Sequence, residues 1–182
     1  MRDHVSLSAT HGNLHDCIKL AAEHELGIEL MTFAYSDVLD GDWAALVAQY
    51  RDWLKPVTGT LSLHGPFIDM ASGSPDAKVN AVCYARYEQA IRIAGELGAS
   101  IIVLHANFIG TLQNAFYREG WHARNVEFYN QLAVVAQKHD VIIAMENMWE
   151  FDPTIIADLL AAVHHPNLRA CLDVGHAHLF SD

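Results

Sequence analysis

Short apolar runs alternate with helix-patterned segments along the whole chain, and this most restricts what it can fold into. Runs at 5–9, 27–31, 60–64, 100–104, 141–145 and 168–172 read as strands. Between them, 14–25, 42–54, 76–97, a segment from 117 or 123 to 138, and 152–163 carry helical spacing or helix-start signals. In 14–25 the apolar positions are Leu14, Ile18, Leu20, Ala21 and Ala22. Asp42 is placed to cap the second helix. Ser74 is read as the N-cap of the third, with Pro75 in its first turn, Asp76 at the positive end of its dipole and Gly98 as its stop. The strands are nearly unbroken apolar runs, as in a parallel sheet covered on both faces. The reading is six strands and five helices in one domain spanning 1–182.

An open doubly wound sheet and a (β/α) barrel both satisfy that order. No strand leads into Gly-x-Gly-x-x-Gly or a phosphate loop, which weakens the open nucleotide-binding sheet. Four strand ends carry ligand-type residues instead: His64, His105, Glu146 and Asp173. Side chains alternate faces along a strand, so Ser62 with His64, Val103 with His105, Ala144 with Glu146, and Cys171 with Asp173 share one face. Leu63, Leu104, Met145 and Leu172 take the other, toward the helices. Polar tips on successive strands favour a barrel, where every tip faces one mouth. An eight-stranded barrel typically takes ~250 residues. The expected fold is therefore an incomplete α/β TIM-type barrel with strands seven and eight missing. Bare edges at strands one and six invite pairing with another copy, a route to a homo-oligomer.

Hydrophobic residues make up 52% of the 182, so the chain is globular rather than disordered. The apolar runs fall well short of the ~20 residues that span a membrane. Met1-Arg2-Asp3-His4-Val5 lacks the apolar stretch of a signal peptide. Cys17, Cys83 and Cys171 are scattered and read as reduced thiols, which points to the cytoplasm. The net charge of -11, with only 11 Lys and Arg, argues against a nucleic-acid partner. Of the 12 histidines, His4, His15, His24, His139, His164 and His165 are read as ordinary surface or core residues.

The stretch Cys171-Leu-Asp-Val-Gly-His-Ala-His178 sets a carboxylate and, three residues on, an imidazole at one strand tip. With Glu146, His64 and His105 they form a donor set suited to Mn, Mg, Co or Zn. A buried carboxylate pair such as Glu146 and Asp173 also needs a cation to stay charged. Asn107 and Asn147 directly follow ligand-type residues and are placed to orient ligands or substrate. His178 is a lesser candidate, Glu150 reads as a solvated acid, and Cys171 reads as a small core residue rather than a thiol nucleophile.

His64-Gly-Pro-Phe67, Gly73-Ser-Pro-Asp76, Leu104-His-Ala106, Met145-Glu-Asn147 and Leu172-Asp-Val-Gly-His176 together resemble the xylose isomerase-like barrel superfamily. That group holds sugar and sugar phosphate isomerases and epimerases, and the endonuclease IV group. In the epimerase branch, the resemblance makes Glu146 and Asp173 metal ligands and Glu146 also the acid/base at the carbon whose proton moves. His176 binds substrate oxygens. The ion would stabilise the enediolate formed from an α-hydroxy carbonyl. In the endonuclease branch His64, His105, Glu146, Asp173 and His176 would all be metal ligands for phosphodiester hydrolysis. Some sugar-type members also keep the histidines of strands three and four. The resemblance thus implies a small carbohydrate substrate bound through His176; His64, His105 and Asn107 are further candidate binding residues. Phe67, Trp121 and Trp149 are placed to wall a sugar pocket, although the tryptophans serve equally well as rim packing. A chain short of two strands could also be an inactive fragment.

Overall fold

The computed structural model describes residues 5–180; His4, the other residues of 1–4, and 181–182 lie outside the described residues. Six strands form one parallel sheet in sequence order: β1 Ser6–Ala9, β2 Gly27–Leu30, β3 Leu61–His64, β4 Ile101–His105, β5 Ile142–Glu146 and β6 Leu168–Cys171. Parallel strands in sequential order, each but the last followed by a helix that returns the chain, make three quarters of an eight-stranded barrel.

The helices are α1 Leu14–His24, α2 Ser36–Asp40, α3 Trp43–Trp53, α4 Ala77–Leu97, α5 Ala115–Lys138, α6 Thr154–Val163 and α7 Val174–Phe180, with a 3-10 turn at Thr32–Ala34. Two α-helices are added to the five expected. Both are short: α2 spans 5 residues and α7 spans 7. Such lengths are too brief for a 3.6-residue repeat to show in a sequence.

Helical spacing decides what each helix buries. On α4 it is Tyr87, Ala90, Ile91, Ala94 and Leu97; on α5, Trp121, Asn125, Phe128, Tyr129, Leu132 and Ala136. On α1 the buried set is Leu14, Cys17, Ile18 and Ala21, while Leu20 turns outward. They pack on the outer faces of the strands, where one register layer is Ala9, Leu30, Leu63, Ile102, Ile143 and Leu168. All six are buried.

Caps fix where helices begin. Asp42 accepts from Ala45 N–H at 3.1 Å, as its position predicts. The start of α4 differs from expectation. Asp76, not Ser74, is the N-cap, accepting from Lys78 and Val79 N–H at 2.8 and 3.3 Å. Ser74 Oγ accepts from Asp76 N–H instead, at 3.2 Å. A carboxylate two residues later satisfies two of the helix's free N–H groups and complements its dipole, so it displaces the hydroxyl. Gly98 ends α4 at φ 75°, a left-handed cap that glycine adopts without a Cβ penalty.

Leu172 also departs from expectation. It lies beyond β6, 71% exposed, because the strand stops at Cys171 and no described helix covers that flank. No described helix is long and apolar enough to cross a membrane. Cys17, Cys83 and Cys171 are free thiols.

Candidate functional site

Strand alternation turns Ser62, His64, Val103, His105, Ala144, Glu146 and Cys171 toward the lumen, opposite the buried outer layer. His105 pairs in register with Glu146, and His64 sits one inward position lower, beside Val103. Gly65 carries the chain away from His64, and a Cβ there would collide with the Leu104 side chain. A larger residue there would need the end of the Leu104 side chain to move aside.

Glu146 is the centre of the cluster, 7% exposed. His176 Nδ1 lies 3.2 Å from Oε1, His105 Nε2 3.7 Å from Oε1, and His64 Nε2 3.8 Å from Oε2. Asp173 Oδ2 lies 3.9 Å from His176 Nδ1. Two donor triads result, His64–His105–Glu146 and Glu146–Asp173–His176, and within each the donor atoms lie within 4.8 Å of one another. Phe67 sets its ring edge-on to His64 at 5.1 Å and tilted against His105 at 5.5 Å.

The hydrogen bonds fix which nitrogens carry protons. His64 Nδ1 faces the Gly65 carbonyl at 2.9 Å, so Nδ1 donates and Nε2 turns its lone pair toward Glu146. His176 Nδ1 donates to the Asn147 carbonyl at 2.9 Å. His105 Nδ1 is buried with no hydrogen-bond partner among the described residues. Burial pushes the His105 imidazole down to about 4, with the charges of His64 and His176 pushing the same way. Burial pushes the Glu146 carboxyl up to about 7; His176 opposes this, while Asp173, Glu29 and Glu150 add to it. The His176 backbone N–H donates to Asp173 Oδ1 at 2.7 Å and is the main influence holding that carboxyl below its ordinary range. The His64 Nε2 lone pair faces the buried Glu146 carboxylate and is repelled by it unless a positive charge lies between them, whereas His176 turns its Nδ1–H toward Oε1. The residues present therefore fit a divalent cation held by nitrogen and oxygen donors.

The other expected residues are placed as follows. Asn107 adopts φ 58° and turns its amide to the Tyr87 hydroxyl at 2.9 Å and the His105 carbonyl at 3.1 Å. Trp149 is exposed on the rim, flanking a cleft of about 430 Å³ with Ile109, Phe151 and Phe180. Trp121 is buried against Phe108, 5.4 Å between ring centres. His178 is exposed on α7.

Two residues carry more than their sequence position indicates. Glu29, in register with Ser62 on the lumen side of β2, acts on Glu146 through its charge. Glu150 is 3% exposed, not a solvated acid, and its carboxylate accepts from Phe108 N–H at 3.1 Å and Met148 N–H at 2.6 Å. It ties the loop after β4 to the loop after β5. No periodic signal marks it, because its partners are backbone groups of two distant loops.

A family model described as xylose isomerase-like TIM barrel matches residues 15–182. The chain belongs to the xylose isomerase-like TIM barrel family. The TTHB071 protein from Thermus thermophilus, soaked with ZnCl2, is 25% identical with TM-score 0.82, over 97% of this chain and 69% of that one. A D-psicose 3-epimerase solved in the presence of D-fructose is 18% identical with TM-score 0.76, over 97% of this chain and 65% of that one. The 3-keto-D-glucoside 4-epimerase YcjR from E. coli is 12% identical with TM-score 0.72, over 97% and 69% respectively. Among curated sequences none matches. This family member thus spans about two thirds of the length of those solved relatives.

Proposed function

We propose that this chain carries the reacting face of a divalent-metal-dependent isomerase or epimerase of a sugar or sugar phosphate. One observation carries the reading: a buried carboxylate, Glu146, surrounded by three imidazoles and a second carboxylate at the mouth of a barrel. The epimerases among the structural relatives favour carbohydrate as the substrate class.

Glu146, Asp173 and His176 would hold the ion, with His64 and His105 either completing a second donor set or facing substrate oxygens. When bound, a divalent cation polarises a substrate carbonyl and acidifies the neighbouring C–H. Glu146, buried and paired with no lysine or arginine among the described residues, accepts that proton on a carboxylate oxygen. In isomerisation the same oxygen returns the proton to the adjacent carbon. Epimerisation needs a second base on the opposite face. Phe67 packs against both strand-tip histidines and gives the sugar an apolar wall, with Trp149 on the rim and Asn107 behind His105.

Incubation with Mn²⁺, Co²⁺ or Zn²⁺ and a panel of ketoses in D₂O tests this by NMR. The reading expects metal-dependent exchange of a carbon-bound proton, abolished in Glu146→Gln and Asp173→Asn. Turnover retained in either variant would contradict the site assignment.

A second reading, phosphodiester hydrolysis of the endonuclease IV kind, is favoured by one feature: the two triads share Glu146 and could hold more than one ion. The charge of -11 opposes it.

A further inference from the structure

We infer that Asn147 is a positioning residue whose side-chain amide replaces the next rung of the β5–β6 ladder and thereby sets Asp173 and His176 against Glu146; the inference rests on the metal reading above. The ladder ends at the Glu146–Cys171 pair. Past it, the β6 chain has no strand pairing among the described residues, and Leu172 turns into solvent. Asp173 is nevertheless held across the gap. Asn147 Oδ1 accepts from Asp173 N–H at 2.8 Å, and Asn147 Nδ2 donates to the Asp173 carbonyl at 3.0 Å. A primary amide offers the same donor and acceptor as a peptide group, so one side chain pairs with both backbone groups of Asp173.

The same residue also holds His176. Its backbone carbonyl accepts the His176 Nδ1 proton at 2.9 Å, which fixes the ring's tautomer and orientation beside Glu146. Asp173 Oδ1 closes the turn on the His176 N–H at 2.7 Å. The two donor triads therefore have different supports. His64 and His105 stand on paired strands. Asp173 and His176 lie past the last rung, joined to β5 by Asn147. Aspartate at 147 would keep an acceptor and lose the donor, and alanine would lose both.

Two measurements on wild type, Asn147→Ala and Asn147→Asp test this. The first is amide hydrogen exchange of the metal-free protein. Asp173 N–H is expected to be protected in wild type and to exchange at least about 10-fold faster in Asn147→Ala. Equal exchange in the two would overturn the inference, whether or not metal binds. The second is calorimetric titration with Zn²⁺ and Mn²⁺. Affinity is expected to fall roughly 10–100-fold in both variants, the range for partners that orient metal ligands. Faster exchange with wild-type affinity would also overturn it. Faster exchange in a series where even wild type binds no ion supports the role of Asn147 and places the failure in the metal reading.

Discussion

At the scale of single residues, the site depends on Glu146. Its carboxylate belongs to both donor triads, so Glu146→Gln is expected to weaken Zn²⁺ or Mn²⁺ binding by more than the roughly 10–100-fold that orienting partners contribute. Calorimetry on the variant checks this, and unchanged affinity would remove Glu146 from the site. The thiols give an independent check on burial. Burial pushes Cys83 up to about 11, and burial followed by the charges of Glu146, Glu29 and Asp173 also raises Cys171, so the two thiols differ chiefly in coverage: Cys83 is buried and Cys171 half-buried. A thiol reagent at pH 8 should modify Cys171 well before Cys83; labelling of Cys83 first would contradict the packing of α4. Because the folded pKa of Cys83 is raised, its contribution to stability is full below the ordinary thiol range and is lost as pH climbs through about 11. His64, His105, Glu146, Asp173 and His176 are all visible in the sequence as polar tips on a repeated pattern. Glu29 and Glu150 are not, since an acid within a strand or loop carries no mark of what surrounds it.

At the scale of elements, strands and long helices are legible because each satisfies one period over many residues. The boundaries are less so. The cap of α4 moves from Ser74 to Asp76, since a carboxylate reaching two N–H groups outcompetes a hydroxyl. Asp76→Ala should therefore cost about 1 kcal/mol by denaturant unfolding, and Ser74→Ala distinctly less. The reverse order would restore the sequence-based cap. The strand expected to run to 172 stops at Cys171 because Asn147 takes over the pairing with a side chain, which no hydrophobic pattern records. The loop after β4 is anchored by fully buried Phe108, packed among Tyr117, Trp121 and Phe151, and by the Glu150 carboxylate. Phe108→Ala is expected to cost about 3–5 kcal/mol. A much smaller loss in a melt would mean that the loop is held by other contacts.

At the scale of the whole molecule, six sequential parallel strands bring the tips of β3, β4 and β5, and the turn after β6, to one mouth. In an open sheet with alternating crossovers, these tips would spread along an edge and the donor atoms would not converge. The two outer strands, β1 and β6, each pair on one side among the described residues. Leu172 and Val174, which directly follow β6, and Leu179 on α7 are each at least 69% exposed. A protein of these 182 residues is therefore expected to self-associate, and a strictly monomeric mass in sedimentation would contradict that. The most direct test of the central claim, that these tips form one cation site, is thermal melting with and without Zn²⁺ or Mn²⁺, in wild type and Asp173→Asn. Saturation at about 100 times the dissociation constant adds about 2.7 kcal/mol, roughly 5–10 °C for a domain of this size. That shift is expected in wild type and is expected to be lost in Asp173→Asn. No shift in wild type, or an equal shift in both, would contradict the claim.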